Sequence, residues 1–226
     1  MMKMFIPMLA ALMASFATAA AGETEPAAPG VNLPAPPTTG AMSLEEALAR
    51  RRSVREFVPG ALTLAEISRL LWAAQGVTGA GRRTAPSAGA TYPLEIYLVA
   101  GDVEGLTVGV YRYRPGLHRL EAVTDDDIRL TLSAAAWGQG WLRRAAAVVA
   151  IAAVFERTTA RYGKRGERYV HIEAGHAAQN LLLQAAALGL GAAPVGAFSD
   201  TLVSRLLRLA DGETPLYLIP VGRSTR

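Results

Sequence analysis

Two periodicities of apolar residues divide the chain into helices and strands. Spacings of three and four positions predict a helix from Thr63 to about Gln75 and a long helix over residues 167–188. Short runs rich in β-branched and aromatic residues predict strands, at residues 94–100, 108–113, 117–123, 145–155 and 215–221. Helices and strands mix without strict alternation, so we predict an α+β domain with a central mixed β-sheet surrounded by helices.

Capping signals mark where helices begin. Ser43 and Thr63 are each followed three positions later by Glu, which is the spacing of a capping box. The first helix is then expected to end at the arginine-rich residues 51–55. The same kinds of signal assign the remaining segments: a Gly-rich loop over 76–89, a helix over 125–136, an extended stretch over 194–198, and a helix capped by Ser199 or Asp200 that runs to about residue 209.

The first 42 residues differ from the rest of the chain. Residues 1–21 match a secretory signal peptide, with Lys3 as the early charge, an apolar run, and small residues where cleavage is expected. An uncleaved membrane anchor is the alternative. Five prolines within residues 22–42 predict a disordered or extended linker, which leaves 43–226 as the folded domain. We expect export to the periplasm or cell envelope, or the cytoplasm if the start codon is misassigned.

Composition excludes several classes of function. The formal charge is +4, and the basic residues are scattered, which argues against nucleic acid as a partner. The absence of cysteine excludes thiol catalysis, disulfide chemistry and iron–sulfur clusters. Only Glu173 and His176 have a metal-ligand spacing, in a single copy, so we predict no metal site and expect the two to pair or one of them to face a pocket.

The long predicted helix carries an unusual surface. No Asp, Glu, Lys or Arg occurs between Ala174 and Ser199. A helix that is apolar on all sides must be buried all round, and a domain of this size has little room for that. Self-association as a two-fold dimer would bury it. A membrane span is disfavoured by polar residues within the helix, including His176 and Asn180.

Two segments are candidates for binding a ligand. Residues 51–57, Arg-Arg-Ser-Val-Arg-Glu-Phe, place three guanidiniums and a hydroxyl within five positions. Guanidinium binds phosphate in bidentate fashion, although a solvated basic helix end has the same composition. Residues 86–93, Pro-Ser-Ala-Gly-Ala-Thr-Tyr-Pro, are small enough for close backbone approach to a flat ring, or form an ordinary Gly-rich connection.

Taken together, these segments resemble the nitroreductase family of flavin enzymes, and within it the SagB/ThcOx-type dehydrogenases. The resemblance covers about residues 43–226 and also includes three later motifs: Glu-Ala-Gly-His-Ala-Ala-Gln-Asn at 173–180, Pro-Val-Gly-Ala-Phe at 194–198, and Ile-Pro-Val-Gly-Arg at 219–223. It implies a nitroreductase-like fold and an intertwined homodimer with FMN at the interface.

The resemblance also implies which residues contact the cofactor. They form four groups: Arg51, Arg52, Ser53 and Arg55 at the phosphate and ribityl chain; Ser87, Ala88, Gly89 and Ala90 at the flavin, from the partner subunit; Val195, Gly196 and Ala197 against the ring near N5; and Gly222 and Arg223 closing the phosphate site. Tyr92 and His171 are candidates for lining the substrate pocket. Family members often have Asn at position 90 and Glu at position 196, so backbone contacts are expected there.

The implied function is ping-pong hydride transfer. NAD(P)H or another donor would reduce FMN, and an electron-poor acceptor such as a nitro compound or quinone would then take the electrons. The flavin supplies this chemistry and needs no protein acid or base, so no catalytic residue is assigned. Two alternatives stay open: a non-enzymatic flavin- or nucleotide-binding module, and an azoline-type dehydrogenase acting on a modified peptide.

Overall fold

A seven-stranded sheet organises the computed structural model, which describes residues 30–225. The strands are β1 (Gly30–Asn32), β2 (Leu94–Ala100), β3 (Gly109–Arg114), β4 (Arg119–Thr124), β5 (Ala147–Val154), β6 (Leu190–Ala192) and β7 (Glu213–Arg223). The helices are α1 (Leu44–Arg50), α2 (Leu64–Gln75), α3 (Arg129–Ala135), α4 (Trp141–Arg144), α5 (Glu156–Tyr162), α6 (Arg165–Ala187) and α7 (Asp200–Leu207). The α+β prediction is confirmed.

The sheet is antiparallel, which corrects the prediction of a mixed sheet. Its order is β1-β4-β3-β2-β5-β7-β6, and all six neighbouring pairs run antiparallel. Parallel pairing among residues 30–225 is confined to two isolated bridges, Ser53 with Ala192 and Leu62 with Val103. A short turn joins β3 to β4, and only antiparallel neighbours can be joined in that way.

Both faces of the central strands are buried. Every residue of β2 is buried, and its side chains alternate between the two faces. Ile96 and Leu98 pack in a core with α2 and α6, whereas Tyr97 and Val99 pack in a second core with α3, α4 and α7. Burial on both faces explains why the central strands read as continuous apolar runs.

The N-caps predicted at Ser43 and Thr63 both form, although the full capping box is present at Thr63 and not at Ser43. The Ser43 hydroxyl accepts a hydrogen bond from the Glu46 amide at 3.1 Å. Thr63 and Glu66 form both halves of a capping box. The helix predicted over 125–136 is shorter in the structure, because side chains of the preceding turn take up backbone groups there. The Arg129 amide, for example, donates to an Asp127 carboxylate oxygen at 3.2 Å.

Part of the predicted linker belongs to the sheet. Gly30–Asn32 pairs with β4, and Leu33 is buried. The Pro34 carbonyl accepts the Ser68 hydroxyl and a ring nitrogen of His118. The folded domain therefore begins before Ser43. The predicted signal peptide and residues 22–29 lie outside the described residues.

The long helix α6 is buried on one face only within a single chain. Val170, Ala177 and Leu181 are among the residues that pack into the core. On the opposite face Ile172 is 47% exposed, and His176 is also exposed. Complete burial of α6 therefore stays a prediction, and it would require a second copy of the chain to cover the exposed face. Between residues 30 and 225, no helix is long and apolar enough to cross a membrane.

Candidate cofactor site

The arginine-rich segment lies along the edge of the sheet formed by β6 and β7. Ser53 bridges Ala192, and the Val54 amide donates to the Ala192 carbonyl at 2.9 Å. Farther along, the Val58 amide donates to the Arg223 carbonyl at 3.1 Å. Backbone pairing thus fixes the position of residues 51–58 against the ends of two strands.

Two glycines allow this close packing. A Cβ on Gly191 would lie 2.8 Å from Val54 Cγ1, and a Cβ on Gly222 would lie 3.0 Å from Phe57 Cδ1. Gly191 and Gly222 are also opposite each other in the β6–β7 register. Gly222 therefore allows Phe57 to pack closely against β7. Its role at the phosphate stays a prediction.

The arginines of this segment have no carboxylate partner. No ion pair within residues 30–225 involves Arg51 or Arg55. The Arg55 guanidinium lies 5.7 Å from the centroid of the Trp141 ring, which is within range of a cation–π interaction. Two positive charges at one sheet edge are thus left for an anion to neutralise.

Arg52 points in a different direction. Its guanidinium donates to the carbonyls of Ala49 and Arg51, both at 2.8 Å, at the C-terminal end of α1. With Val54 it lines a groove of about 360 Å³ between α1, α6 and β6. Arg52 and Val54 thus both face this groove.

The side chain of Arg223 is engaged by the fold, and its predicted role in closing the phosphate site stays a prediction. It donates to both carboxylate oxygens of Glu66, at 2.6 and 2.9 Å, and twice to the Ala61 carbonyl. Although burial opposes the change, hydrogen bonds from Arg223 and Thr63 lower the pKa of Glu66 below its usual value. The Arg223 carbonyl also accepts the Val58 amide at 3.1 Å, so both its side chain and its backbone have partners in the fold.

Residues 195–197 continue along the same edge. Val195 is buried and exchanges two backbone hydrogen bonds with Leu218, at 2.8 and 2.9 Å. Gly196 and Ala197 are exposed, and the Gln139 amide donates to the Ala197 carbonyl at 2.9 Å. The structure therefore brings together three of the four predicted groups, namely residues 51–55, 195–197 and 222–223.

The fourth group, the loop of residues 87–90, lies beside α5 and α6. Gly89, Ala90 and Tyr92 all have positive φ, at 59°, 54° and 45°. The Arg161 guanidinium donates to the Gly89 carbonyl at 3.1 Å, and the Tyr92 amide donates to the Ser87 hydroxyl at 2.9 Å. Within the described part of the chain, no hydrogen bond or ion pair joins this loop to the arginine segment. The loop and the arginine segment are therefore two separate parts of the predicted site within one chain.

The two substrate candidates occupy different surroundings. Tyr92 lies under the Arg83 guanidinium, 5.0 Å from the ring centroid, next to the loop. His171 is exposed and packs edge-on against Phe155, with ring centroids 5.3 Å apart. A cavity of about 270 Å³ opens beside the loop, and its lining includes His176 but not His171.

Comparison with known proteins identifies the family of this chain. The model of the nitroreductase family matches residues 48–223. The chain belongs to the nitroreductase family. It is 50% identical over 183 residues to a candidate nitroreductase of Methanocaldococcus jannaschii, covering 80% of this chain and 91% of that protein. Membership of this family places the chain among oxidoreductases.

A solved structure shows the nitroreductase-like fold, and another curated relative is similar over part of this chain. A crystal structure of a candidate nitroreductase from Ralstonia eutropha JMP134 has a TM-score of 0.76 and 31% identity, covering 87% of this chain and 90% of that one. The microcin B17-processing protein McbC of Escherichia coli is 29% identical over 136 residues. That match covers 58% of this chain and 50% of McbC.

Sequence reasoning did not assign Glu173 to the site, although it noted its spacing from His176. The two lie three positions apart on α6 and line the same cavity with Ser87, Ala88 and Tyr169. They do not pair with each other in an ion pair or hydrogen bond among the described residues. Within that same range, no group of three or more His, Asp or Glu side chains is arranged to hold a metal ion.

The environment of Glu173 is unusual for a carboxyl group. Burial raises its pKa to about 7, and this rise is opposed by the nearby Ser87 and Gln75 side chains and by the charge of Arg83. A burial signal of this kind depends on tertiary packing. The one hint in the sequence is that Glu173 begins the stretch of α6 that otherwise lacks charge.

Proposed function

We propose that this chain is an FMN-dependent oxidoreductase that moves hydride from a donor to an electron-poor small molecule. The observation that carries the proposal is the pair of guanidiniums, Arg51 and Arg55, which flank the bridge between Ser53 and Ala192 and have no carboxylate partner in residues 30–225. Such a set fits a phosphate group, because guanidinium donors match phosphate oxygens in charge and geometry.

The residues present also fit the rest of FMN. Gly196 and Ala197 expose backbone on the same sheet edge as Ser53, and the nearest atom to a Cβ on Gly196 would be a Tyr217 ring carbon at 3.8 Å. This edge is therefore open enough to receive a flat ring. When bound, FMN would supply the hydride-transfer chemistry. The chain's own task is to hold the phosphate, orient the ring and limit access of water.

A homodimer completes this proposal. The outer face of α6 carries exposed Ile172, and Leu44 and Leu48 of α1 are 60% and 52% exposed. Large apolar side chains on neighbouring helices support burial against a second copy of this chain. In such a dimer the partner's copy of the loop at 87–90 would meet the flavin held by residues 51–55.

The electron donor and the electron acceptor are inferred from the chemistry of flavins, not from contacts in the structure. We infer NAD(P)H or another two-electron donor, and a nitro compound, quinone or similar acceptor, in ping-pong order. If the chain is exported, as the leader sequence suggests, NAD(P)H is scarce and a different donor is required. The Tyr92 amide donates to the Ser87 hydroxyl at 2.9 Å, which supports a substrate role for Tyr92 beside the loop. No protein acid or base is assigned.

The test is the visible spectrum of the purified protein after reconstitution with FMN. Bound flavin, together with acceptor-dependent oxidation of NADH or NADPH by a nitroaromatic or a quinone, is expected. Bound flavin without turnover, with dithionite as an alternative reductant, would favour a non-enzymatic binding module. A folded protein that stays colourless would contradict FMN binding itself.

A second candidate is a dehydrogenase acting on an azoline ring in a modified peptide. The likeness to McbC favours it, but this chain spans about half the length of McbC. An azoline-containing peptide incubated with the reconstituted protein should be oxidised to the azole under this alternative. Turnover with small quinones but not with the peptide would leave the small-molecule function.

A further inference from the structure

The Ser87 hydroxyl lies where the flavin-facing loop meets the core. Its oxygen accepts the Tyr92 amide at 2.9 Å, which ties the two ends of the loop together. Its single proton is left to donate elsewhere. One direction leads inward to Glu173, and the other leads into the cavity of about 270 Å³ that Ser87 and Glu173 both line.

Glu173 lies behind this loop without a full set of partners. Its side chain is only 3% exposed, and Oε1 makes no hydrogen bond within residues 30–225. The amide nitrogen of Gln75, which is fully buried on α2, likewise lacks a partner in that range. Buried polar atoms without partners are uncommon in folded proteins and often mark functional positions.

The groups that face Glu173 come from three elements. Gln75 belongs to α2, and Arg83 and Ser87 belong to the connection before β2. From α6 itself, Tyr169 and His176 line the cavity beside the carboxyl. Arg83 is the one permanent charge in this set. It is partly engaged by the Gln75 carbonyl at 3.3 Å and by the Tyr92 ring, so no ion pair holds Glu173 in its charged form.

We propose that Glu173 is a positioning residue that acts through Ser87: its carboxyl decides whether the Ser87 hydroxyl donates inward to Glu173 or outward into the cavity. This inference rests on the proposed function, because the outward direction matters only if the loop meets a flavin. It adds to that function a residue that controls how the loop presents its hydrogen-bond donor to the ring.

The proposal depends on how many hydrogen bonds the Glu173 carboxyl can donate and accept in its two protonation states. An ionised carboxylate only accepts hydrogen bonds, so it draws the Ser87 proton inward. A protonated carboxyl can donate to the Ser87 oxygen, which frees the serine proton to point into the cavity. Because burial raises the pKa of Glu173 to about 7, both forms are populated near neutral pH, and the direction of the hydroxyl would change with pH.

The test follows the bound flavin in Glu173→Gln. The visible spectrum of bound FMN and its dissociation constant are measured from about pH 5 to about pH 9. The wild type is expected to show a transition near the pKa of Glu173, with a several-fold change in affinity. Glu173→Gln should bind FMN without this transition. Glu167→Gln, an exposed carboxyl on the same helix, should keep it and serves as the matched control.

Ser87→Ala tests whether the effect passes through the serine. Its FMN affinity should fall at every pH, because the loop loses a hydrogen-bonding group, and the affinity should no longer change with pH. A transition that persists in either Glu173→Gln or Ser87→Ala would overturn the proposal, as would a pH-independent spectrum in wild type with bound FMN. A folded wild type that binds no FMN would instead contradict the proposed function, so the two failures are distinguishable.

An infrared measurement adds a readout that does not use flavin. In the FMN-free protein, a protonated carboxyl buried at Glu173 should give a carbonyl band that decreases as pH rises through about 7. The band should be missing in Glu173→Gln and present in Glu167→Gln. A spectrum identical in all three proteins would show that Glu173 does not exchange a proton in this range, and would overturn the proposal.

Discussion

Two sets of arginines in this molecule have opposite surroundings. Arg112, Arg157 and Arg223 each contact a glutamate at 2.6 to 2.9 Å. Arg51 and Arg55 contact none among the residues described. The first set neutralises carboxylates inside or along the domain and stabilises the fold, whereas the second leaves positive charge at the β6–β7 edge. The partner of an arginine, more than the arginine itself, indicates what it does.

The network around Arg112 shows that the arginines of the first set are fully paired with carboxylates. Its guanidinium contacts Glu213 at 2.8 Å and Glu95 at 2.9 Å. The Tyr97 hydroxyl donates to the second oxygen of Glu213 at 2.6 Å. Arg157 contacts the other Glu95 oxygen at 2.6 Å. Charges and donors are matched here, so this cluster has no capacity for a further anion.

The largest expected effect comes from breaking the matched network. Arg112→Ala would leave Glu213, whose side chain is 2% exposed, without its cation, and should lower the free energy of unfolding by about 3 kcal/mol. Urea denaturation measures this loss. Arg114→Ala, which removes a more exposed pair with Glu121, is the control and should cost less than about 1 kcal/mol. Equal losses would contradict the distinction.

The second effect is on ligand binding. Arg51→Ala combined with Arg55→Ala should weaken FMN binding about 100-fold, because charge-assisted hydrogen bonds contribute most to phosphate binding. The helical content and the unfolding midpoint should stay unchanged. Arg50→Ala, which removes an exposed pair with Glu46, is the matched control and should bind FMN normally. Fluorescence titration of FMN checks both, and unaltered affinity in the double variant would refute the phosphate assignment.

Arg223 tests the boundary between the two sets. Arg223→Lys cannot reproduce the bidentate contact with Glu66 and should lower the free energy of unfolding by about 1.5 kcal/mol. FMN affinity should change by less than about twofold, because the guanidinium points away from the ligand edge. If affinity fell more than about tenfold while stability stayed constant, Arg223 would belong with Arg51 and Arg55.

Glu173 is the reverse case, a buried carboxyl without a guanidinium in contact. Because its pKa is raised to about 7 in the folded state, its contribution to stability is fully present below its ordinary pKa and is lost as pH rises through about 7. Between about pH 5 and pH 8 the wild type should lose about 2.5 kcal/mol more than Glu173→Gln. Urea denaturation at both pH values checks this difference, and parallel losses would contradict it.

Local signals in the sequence predicted the elements well. The capping positions Ser43 and Thr63 depend only on residues three positions away, and both helices begin where they predict. The strand over 94–100 has the bounds that its apolar run predicts. The motif at 51–57 was also recognisable, because its charge density is itself local.

Properties that depend on distant residues could not be predicted in the same way. Glu66 and Arg223 are 157 positions apart, so the ion pair that engages the Arg223 side chain leaves no local trace in the sequence. The strand at Gly30–Asn32 exists because β4 pairs with it, although its own sequence is typical of a linker. The burial of Glu173 follows from packing of α6 against the loop before β2.

The most direct test of the account compares FMN with riboflavin, which lacks the phosphate. Titrations are made with the wild type and with the Arg51→Ala, Arg55→Ala double variant. We predict that the wild type binds FMN about 100-fold more tightly than riboflavin and that the double variant binds the two alike. Equal affinity of the wild type for both ligands, or a preference for FMN that survives in the double variant, would contradict the assignment of these unpaired arginines to the phosphate.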